Sequence, residues 1–207
     1  MLYQILKISF LLLIFISCSQ QSQKTYHTNG KIMEEFTVNK KGEKNGTYSS
    51  FYDSGLPYET AEYKNGKLKG VRKLNYPEGN LEIIENYNEN GELHGPYQTF
   101  YKNGQLWTDK HYSNNILNGE VKVYYQNGNL KELVSFRDNQ ENGNFVEYFE
   151  NGKIQWKGAY LNGPNEFGDL EEFDSTGLLI KKMICDSFAI CRSTWKIDNY
   201  DLIYKPK

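Results

Sequence analysis

Short runs of alternating apolar and polar residues, each broken by a glycine, fill most of the chain beyond residue 30. The clearest stretch is Gly95-Pro96-Tyr97-Gln98-Thr99-Phe100-Tyr101-Lys102-Asn103-Gly104-Gln105-Leu106-Trp107. A period of two predicts strands, and Asn-Gly between two aromatic-apolar runs predicts a tight hairpin turn, because such turns need positive φ. The pair recurs at Asn127-Gly128 and Asn151-Gly152, with weaker forms at Ser54-Gly55, Glu78-Gly79 and Thr176-Gly177. The second strand of each unit closes on an aromatic: Tyr63, Tyr87, Tyr112, Phe136 and Tyr160. A wider turn follows, as at Lys64-Asn65-Gly66 and Asn88-Glu89-Asn90-Gly91.

The units keep register. Gly46, Gly70, Gly95, Gly119, Gly143 and Gly168 lie 24 or 25 residues apart, and each is followed nine residues later by a turn glycine. Two locked registers of glycine are the mark of a repeat array, in which each unit packs only against its neighbours. The expected fold is all-β: an elongated antiparallel meander of about six hairpins over residues 27–183. His27 to Lys44 reads as a degenerate half-unit, with Asn29-Gly30 and Ile32 in turn and strand positions. Residues 184–207 lose the glycine rhythm and read as a C-terminal cap.

Parity adds detail. Positions two and six after each leading glycine would share a face, as with Tyr97 and Tyr101 or Phe145 and Phe149, and position five, as at Phe100, the other. In the second strand, Leu81, Leu106, Leu130, Ile154 and Leu179 share a face with the closing aromatics. Both faces of the first strand are therefore apolar, and parity alone leaves open which is deeper.

Units of this length, with N-G-x-L after an aromatic pair and a closing Y-x-x-G, resemble MORN repeats, and more narrowly the bacterial MORN-variant family often called YwqK-like. The resemblance covers roughly Gly30 to Phe173. It implies a single-layer, twisted meander of hairpins, in some members an open groove lined by aromatics. Pro57, Asn75 and Asp174 depart from the repeat pattern. Many family members carry an antitoxin label, and other MORN proteins are regarded as membrane-associated scaffolds.

The first residues read differently. Lys7 precedes an apolar run from Ile8 to Ile16, too short for a membrane-spanning helix but suited to a secretory signal. Phe15-Ile16-Ser17-Cys18 resembles a bacterial lipobox, with Phe15 where Leu is usual. The expectation is a lipoprotein signal over 1–17, lipidation at Cys18 and a polar tether over 18–26; an ordinary signal peptide or an uncleaved anchor is the alternative. Export would place the chain in a disulfide-permissive, cell-envelope compartment, on the outer membrane or facing the periplasm.

Candidate chemistry is sparse. The 24 basic and 26 acidic residues are intermixed, with no phosphate-binding stripe, so nucleic acid is not an expected partner. His27, His94 and His111 show no zinc spacing and read as solvated; no metal site or cofactor is expected. With Cys18 lipidated, Cys185 and Cys191 form an even pair, either a disulfide or two free thiols. Glu34-Glu35 and Glu171-Glu172 would be split across the two faces of a strand, which argues against paired-carboxylate catalysis. Trp107, Trp156, Tyr101, Tyr125 and Phe149 are the binding candidates, since surface aromatics serve as contact anchors, with a core role as the alternative; Trp195 lies in the tail. The expectation is a non-enzymatic envelope lipoprotein whose sheet binds a protein partner. The alternatives are an immunity or antitoxin-like protein that masks a toxin, and a carbohydrate- or lipid-binding module.

Overall fold

The computed structural model describes residues 21–203. Its strands are β1 (Gln21–Tyr26), β2 (Ile32–Val38), β3 (Lys44–Phe51), β4 (Pro57–Lys64), β5 (Lys67–Asn75), β6 (Leu81–Tyr87), β7 (Gly95–Phe100) and β8 (Leu106–Ser113). They continue as β9 (Ile116–Leu117), β10 (Gly119–Tyr124), β11 (Leu130–Arg137), β12 (Gln140–Tyr148), β13 (Ile154–Tyr160), β14 (Gly168–Phe173), β15 (Leu179–Cys185) and β16 (Cys191–Lys196). A short helix, α1 (Tyr200–Ile203), follows. All strands join one antiparallel sheet in chain order, with β9 set off the path beside β8. The all-β meander is thus the fold.

Gly55, Gly79, Gly104, Gly128, Gly152 and Gly177 all sit in tight turns at φ between 81 and 94°. Each donates its N–H to the carbonyl of the residue three before it, as Gly104 does to Tyr101 at 2.8 Å. The leading glycines serve another purpose. Gly46, Gly70, Gly95, Gly119 and Gly143 each face a closing aromatic across the hairpin, and Gly168 faces Cys185. All are at positive φ, a conformation that side chains disfavour.

Two sequence expectations are corrected at the ends. Residues 21–26 are strand β1 rather than tether, paired with β2 in register from Gln21↔Val38 to Thr25↔Glu34. This segment has no apolar alternation to betray it; backbone hydrogen bonds to β2 hold it. The half-unit is therefore a full hairpin. At the other end, the expected boundary at 183/184 falls inside β15, because the ladder runs on after the glycine rhythm stops. Cys185 and Cys191 are joined by a disulfide across the β15–β16 turn.

Parity also needs correction. In every hairpin from β3–β4 to β14–β15 a bulge falls between positions four and five, as at Ser50/Phe51 and Thr99/Phe100, and position five lies at or next to the strand's end. Position six lies in the turn instead of on a face. Its tyrosine hydroxyl reaches forward one repeat: Tyr52 to the Asn75 carbonyl, Tyr76 to Phe100, Tyr101 to Tyr124 and Tyr125 to Tyr148, at 2.6–2.8 Å. His27 holds the equivalent place, with Nε2 2.8 Å from the Phe51 carbonyl, so it is tied into the array and not solvated. Asparagines repeat the device one turn further out, as in Asn103 to Gln126 and Asn151 to Ser175. Removing the hydroxyl with Tyr101→Phe should strand a half-buried carbonyl and cost about 1 kcal/mol, read from the midpoint of urea unfolding.

Directly paired residues share a face, so the register identifies the buried side. Tyr48 pairs with Ala61, Val121 with Val134, Val134 with Phe145, Phe145 with Gly158 and Leu170 with Met183. This core face is the deeper one. Val134, Phe145, Leu170 and Cys185 are buried there, flanked by Phe136, Trp156, Tyr160 and Met183. Phe145 and Tyr160 stack at 4.4 Å. At the N-terminal end, Lys44 Nζ lies 3.7 Å from the Tyr48 ring centre and 5.2 Å from those of Phe36 and Tyr63.

Candidate functional site

The aromatic candidates do not form one site. Tyr101, Tyr125 and Phe149 occupy the same turn position in successive repeats, about 10 Å apart for two strand spacings. The hydroxyls of Tyr101 and Tyr125 are committed to the inter-repeat ladder. Trp107 is the unpaired residue of a bulge, 45% exposed, with its ring 5.6 Å from that of Tyr101. Trp156 is half-buried against the core cluster, so for it the core role holds. Trp195 lies on β16, exposed. Cys18 lies outside the described residues.

The core face carries charge that sequence reading missed. Position two holds Tyr48, Tyr97, Val121, Phe145 and Leu170 in five units, but Arg72 in the other. Arg72 Nε donates to Glu59 at 2.7 Å and its Nη1 to Glu85 at 2.9 Å. Glu59 and Glu85 are buried, each with its side chain only 10% exposed. Tyr87 also donates its hydroxyl to Glu85 at 2.7 Å. Burial works against the guanidinium charge, but the two carboxylates outweigh it and raise the Arg72 pKa. The signal was present as the break in an otherwise apolar position.

Further along the same face, Glu132 and Glu147 stand directly opposite each other on β11 and β12. Both pKa values are raised, first by burial and then by nearby carboxylates: Glu141 for Glu132, and Glu132 for Glu147. Burial, followed by the charges of this carboxylate group, pushes the Tyr160 hydroxyl up to about 12. A carboxyl whose pKa is raised on folding binds its proton more tightly in the folded state. Its contribution therefore improves as pH falls through the raised value towards the ordinary 4.5, and is unfavourable above. Glu147→Gln should raise the melting temperature at pH 7 and give no gain at pH 4, measured by thermal unfolding across that range.

The opposite face carries two recesses at junctions between hairpins. Neighbouring hairpins β8/β10 and β13/β14 share only two residue pairs each, Thr108↔Val123 with Asp109↔Lys122, and Trp156↔Glu172 with Lys157↔Glu171. Beyond these pairs the strands part, and they are bonded again only near the wider turns, at Tyr112↔Leu117 and Tyr160↔Glu166. A groove of about 590 Å³ opens at β13/β14, floored by Val146, Gly158, Ala159 and Phe167. Glu171 bridges Lys157 at 2.7 Å and Lys182 at 3.1 Å along its rim. The Lys157 hydrogen bond is the main cause holding the Glu171 carboxyl below its ordinary pKa, with burial opposing it. A second groove, of about 320 Å³, lies at β8/β10 between Gln98, Asp109, His111 and Lys122. Among the described residues no group of three or more His, Cys, Asp or Glu side chains is placed to hold a metal ion.

These features define a class: an open, single-layer hairpin array with an apolar core on one face and grooves between hairpins on the other. The chain belongs to the MORN repeat variant family, whose model matches residues 22–40, 44–65, 68–89, 93–114, 117–138 and 141–162. Its six repeats are offset by one from the six read off the glycines. The family's first match is the β1–β2 hairpin, whereas β14–β15 has the repeat geometry without matching, where Asp174 and Cys185 replace the usual aromatics. MORN repeats are generally protein- or membrane-binding modules, and the family is typically non-catalytic. None of the curated proteins compared with the chain matches it. A solved structure titled "Crystal Structure of TcdB2-TccC3-Cdc42" is similar at 11% identity, over 80% of this chain and 12% of that one, with a TM-score of 0.17. The chain thus spans a small part of that protein, and nothing of its role transfers.

Proposed function

We propose that this is an exported protein, lipid-anchored at Cys18 to a cell-envelope membrane, whose grooved face is a non-catalytic docking surface for a protein partner. One observation supports the reading most: the grooved face combines an apolar floor, Val146, Ala159 and Phe167, with a charged rim of Lys157, Glu171 and Lys182. Apolar contact framed by charge is the composition of protein interfaces, where a desolvated centre supplies affinity and the rim supplies selectivity. The array holds that surface ordered in advance, so little conformational entropy is lost on binding.

Two experiments test the reading. Cys18→Ala should move the protein from the membrane to the soluble fraction; retention in the membrane would remove the lipid anchor. A photo-cross-linking residue at Asn144 or Asp169, beside the larger groove, should capture the same envelope protein from both positions, and one at Asn127 on the tight-turn edge should not. No adduct from either groove position, with the protein still membrane-held, would overturn the docking surface. An adduct with a secreted toxin would assign the partner as one to be masked.

A further inference from the structure

The β15–β16 connection has the same backbone turn as the tight turns of the repeats. Asp186 N–H donates to the Ile190 carbonyl and Ala189 N–H to the Asp186 carbonyl, as Asp174 does to Leu178 and Gly177 to Asp174. Asp186 Oδ1 accepts from the N–H groups of Phe188 and Ile190, as Asp174 Oδ1 does from Thr176 and Leu178. The residues differ sharply. At the tip, where other turns carry Asn29, Ser54, Asn103, Asn127, Asn151 or Thr176, this one carries Phe188, 83% exposed. Ala189, at φ 57°, fills the position that is glycine in those turns, and Ile190 beside it is 54% exposed. The Cys185–Cys191 disulfide closes the turn at its base. An apolar tip is therefore held out in water on a covalently pinned, conformationally disfavoured turn.

Strand pairing places it on the sheet. Cys185 pairs with Gly168 and Gln21 pairs with Val38, which places the Phe188 turn and the start of β1 on the same long edge, that of the wider turns. They lie at opposite ends of a fifteen-strand path, roughly 65 Å apart at ~4.8 Å per strand. Ile116 in β9 and Phe167 in the β13–β14 connection, 40% and 41% exposed, lie along the same edge, with Lys40 and Lys41 in its first turn.

We propose that this edge lies against the bilayer that holds the N-terminus, with Phe188 and Ile190 inserted into the headgroup region as a second attachment point. The inference rests on the Cys18 anchor proposed above. Two apolar side chains on one turn cover far too little area for a stable protein interface, which needs on the order of 1,000 Å². Added to a lipid anchor they suffice, because stable membrane attachment is built from two weak signals. The result is a ribbon fixed at both ends, lying along the membrane with both sheet faces accessible.

The test uses the full lipidated chain in vesicles of phosphatidylcholine and phosphatidylglycerol, comparing Phe188→Trp with the unsubstituted protein. The added tryptophan should show blue-shifted emission and be quenched by lipids brominated on the acyl chain. Full-chain Cys18→Ala should keep residual vesicle binding that falls about tenfold in Phe188→Ser/Ile190→Ser, one tenfold step corresponding to about 1.4 kcal/mol. Anchored Phe188→Trp protein whose added tryptophan emits as in buffer would overturn the insertion and leave the anchor standing. Lipid-dependent binding through Phe188 in a chain that proves not to be lipidated would uphold the insertion and remove the anchor. Shielding of the added tryptophan only when envelope proteins are present would assign the turn to a protein partner and overturn the proposal.

Discussion

Replacing Arg72 with Ala is expected to destabilise the protein by about 3–5 kcal/mol, the usual consequence of breaking a buried ion pair by removing one partner. Glu59 and Glu85 would keep their places on the core face, each with a side chain only 10% exposed, and lose the cation bonded to both. Replacing all three residues together, with Leu at 59, Met at 72 and Ile at 85, should restore stability or exceed the parent, since buried ion triads are often no better than apolar packing. Hydrogen exchange would locate the effect. An array packs unit on unit, so protection should fall first in β4 to β6 and leave β12 to β15 intact. Uniform loss along the chain, or an Arg72→Ala protein as stable as the parent, would contradict the role assigned to the triad.

Gly158→Val should cost about 3 kcal/mol and Gly158→Ala about 1–2 kcal/mol, the range typical of overpacking a well-filled core. This glycine differs from the turn glycines, because its φ is not positive. Its constraint is space: a Cβ here would stand 3.0 Å from Leu170 Cγ and 3.0 Å from Phe145 Cε1. Both neighbours are at most 4% exposed, and Phe145 is stacked on Tyr160, so neither can move aside cheaply. The better strand propensity of Ala or Val recovers only part of the loss. Ala159→Val points to the groove side and should be nearly neutral. Thermal unfolding of the three variants decides the matter: equal stability at 158 and 159 would mean that the core face is not the tightly packed one.

Much of this was legible in the residues, for identifiable reasons. Turn glycines announce themselves because positive φ is a local demand, met by the residue itself. Leading glycines recur because each holds a positive φ opposite the residue that closes its hairpin. The bulges left no mark, being a property of how two strands pair, and so Tyr101 and Tyr125 were read as face residues when they are inter-repeat ties. β1 was hidden because its strand residues are polar and its order comes from a neighbour. Arg72 stood in plain view as the one charge at an apolar position. The grooves could not be read at all, since they arise from how far neighbouring hairpins splay.

The tyrosine and asparagine ties between successive tight turns point forward, from one unit to a carbonyl of the next. Phe149 offers no hydroxyl to pass on, and the last turn places Asp174, an acceptor, where the donor stood. Assembly thus has a grammar with a direction and a full stop. A duplicated stretch such as 119–142, spliced in after Asn142, would meet a waiting acceptor ahead and a waiting donor behind. The chain can be lengthened in its interior by whole units, whereas copies placed end to end would meet an acceptor where that donor is needed.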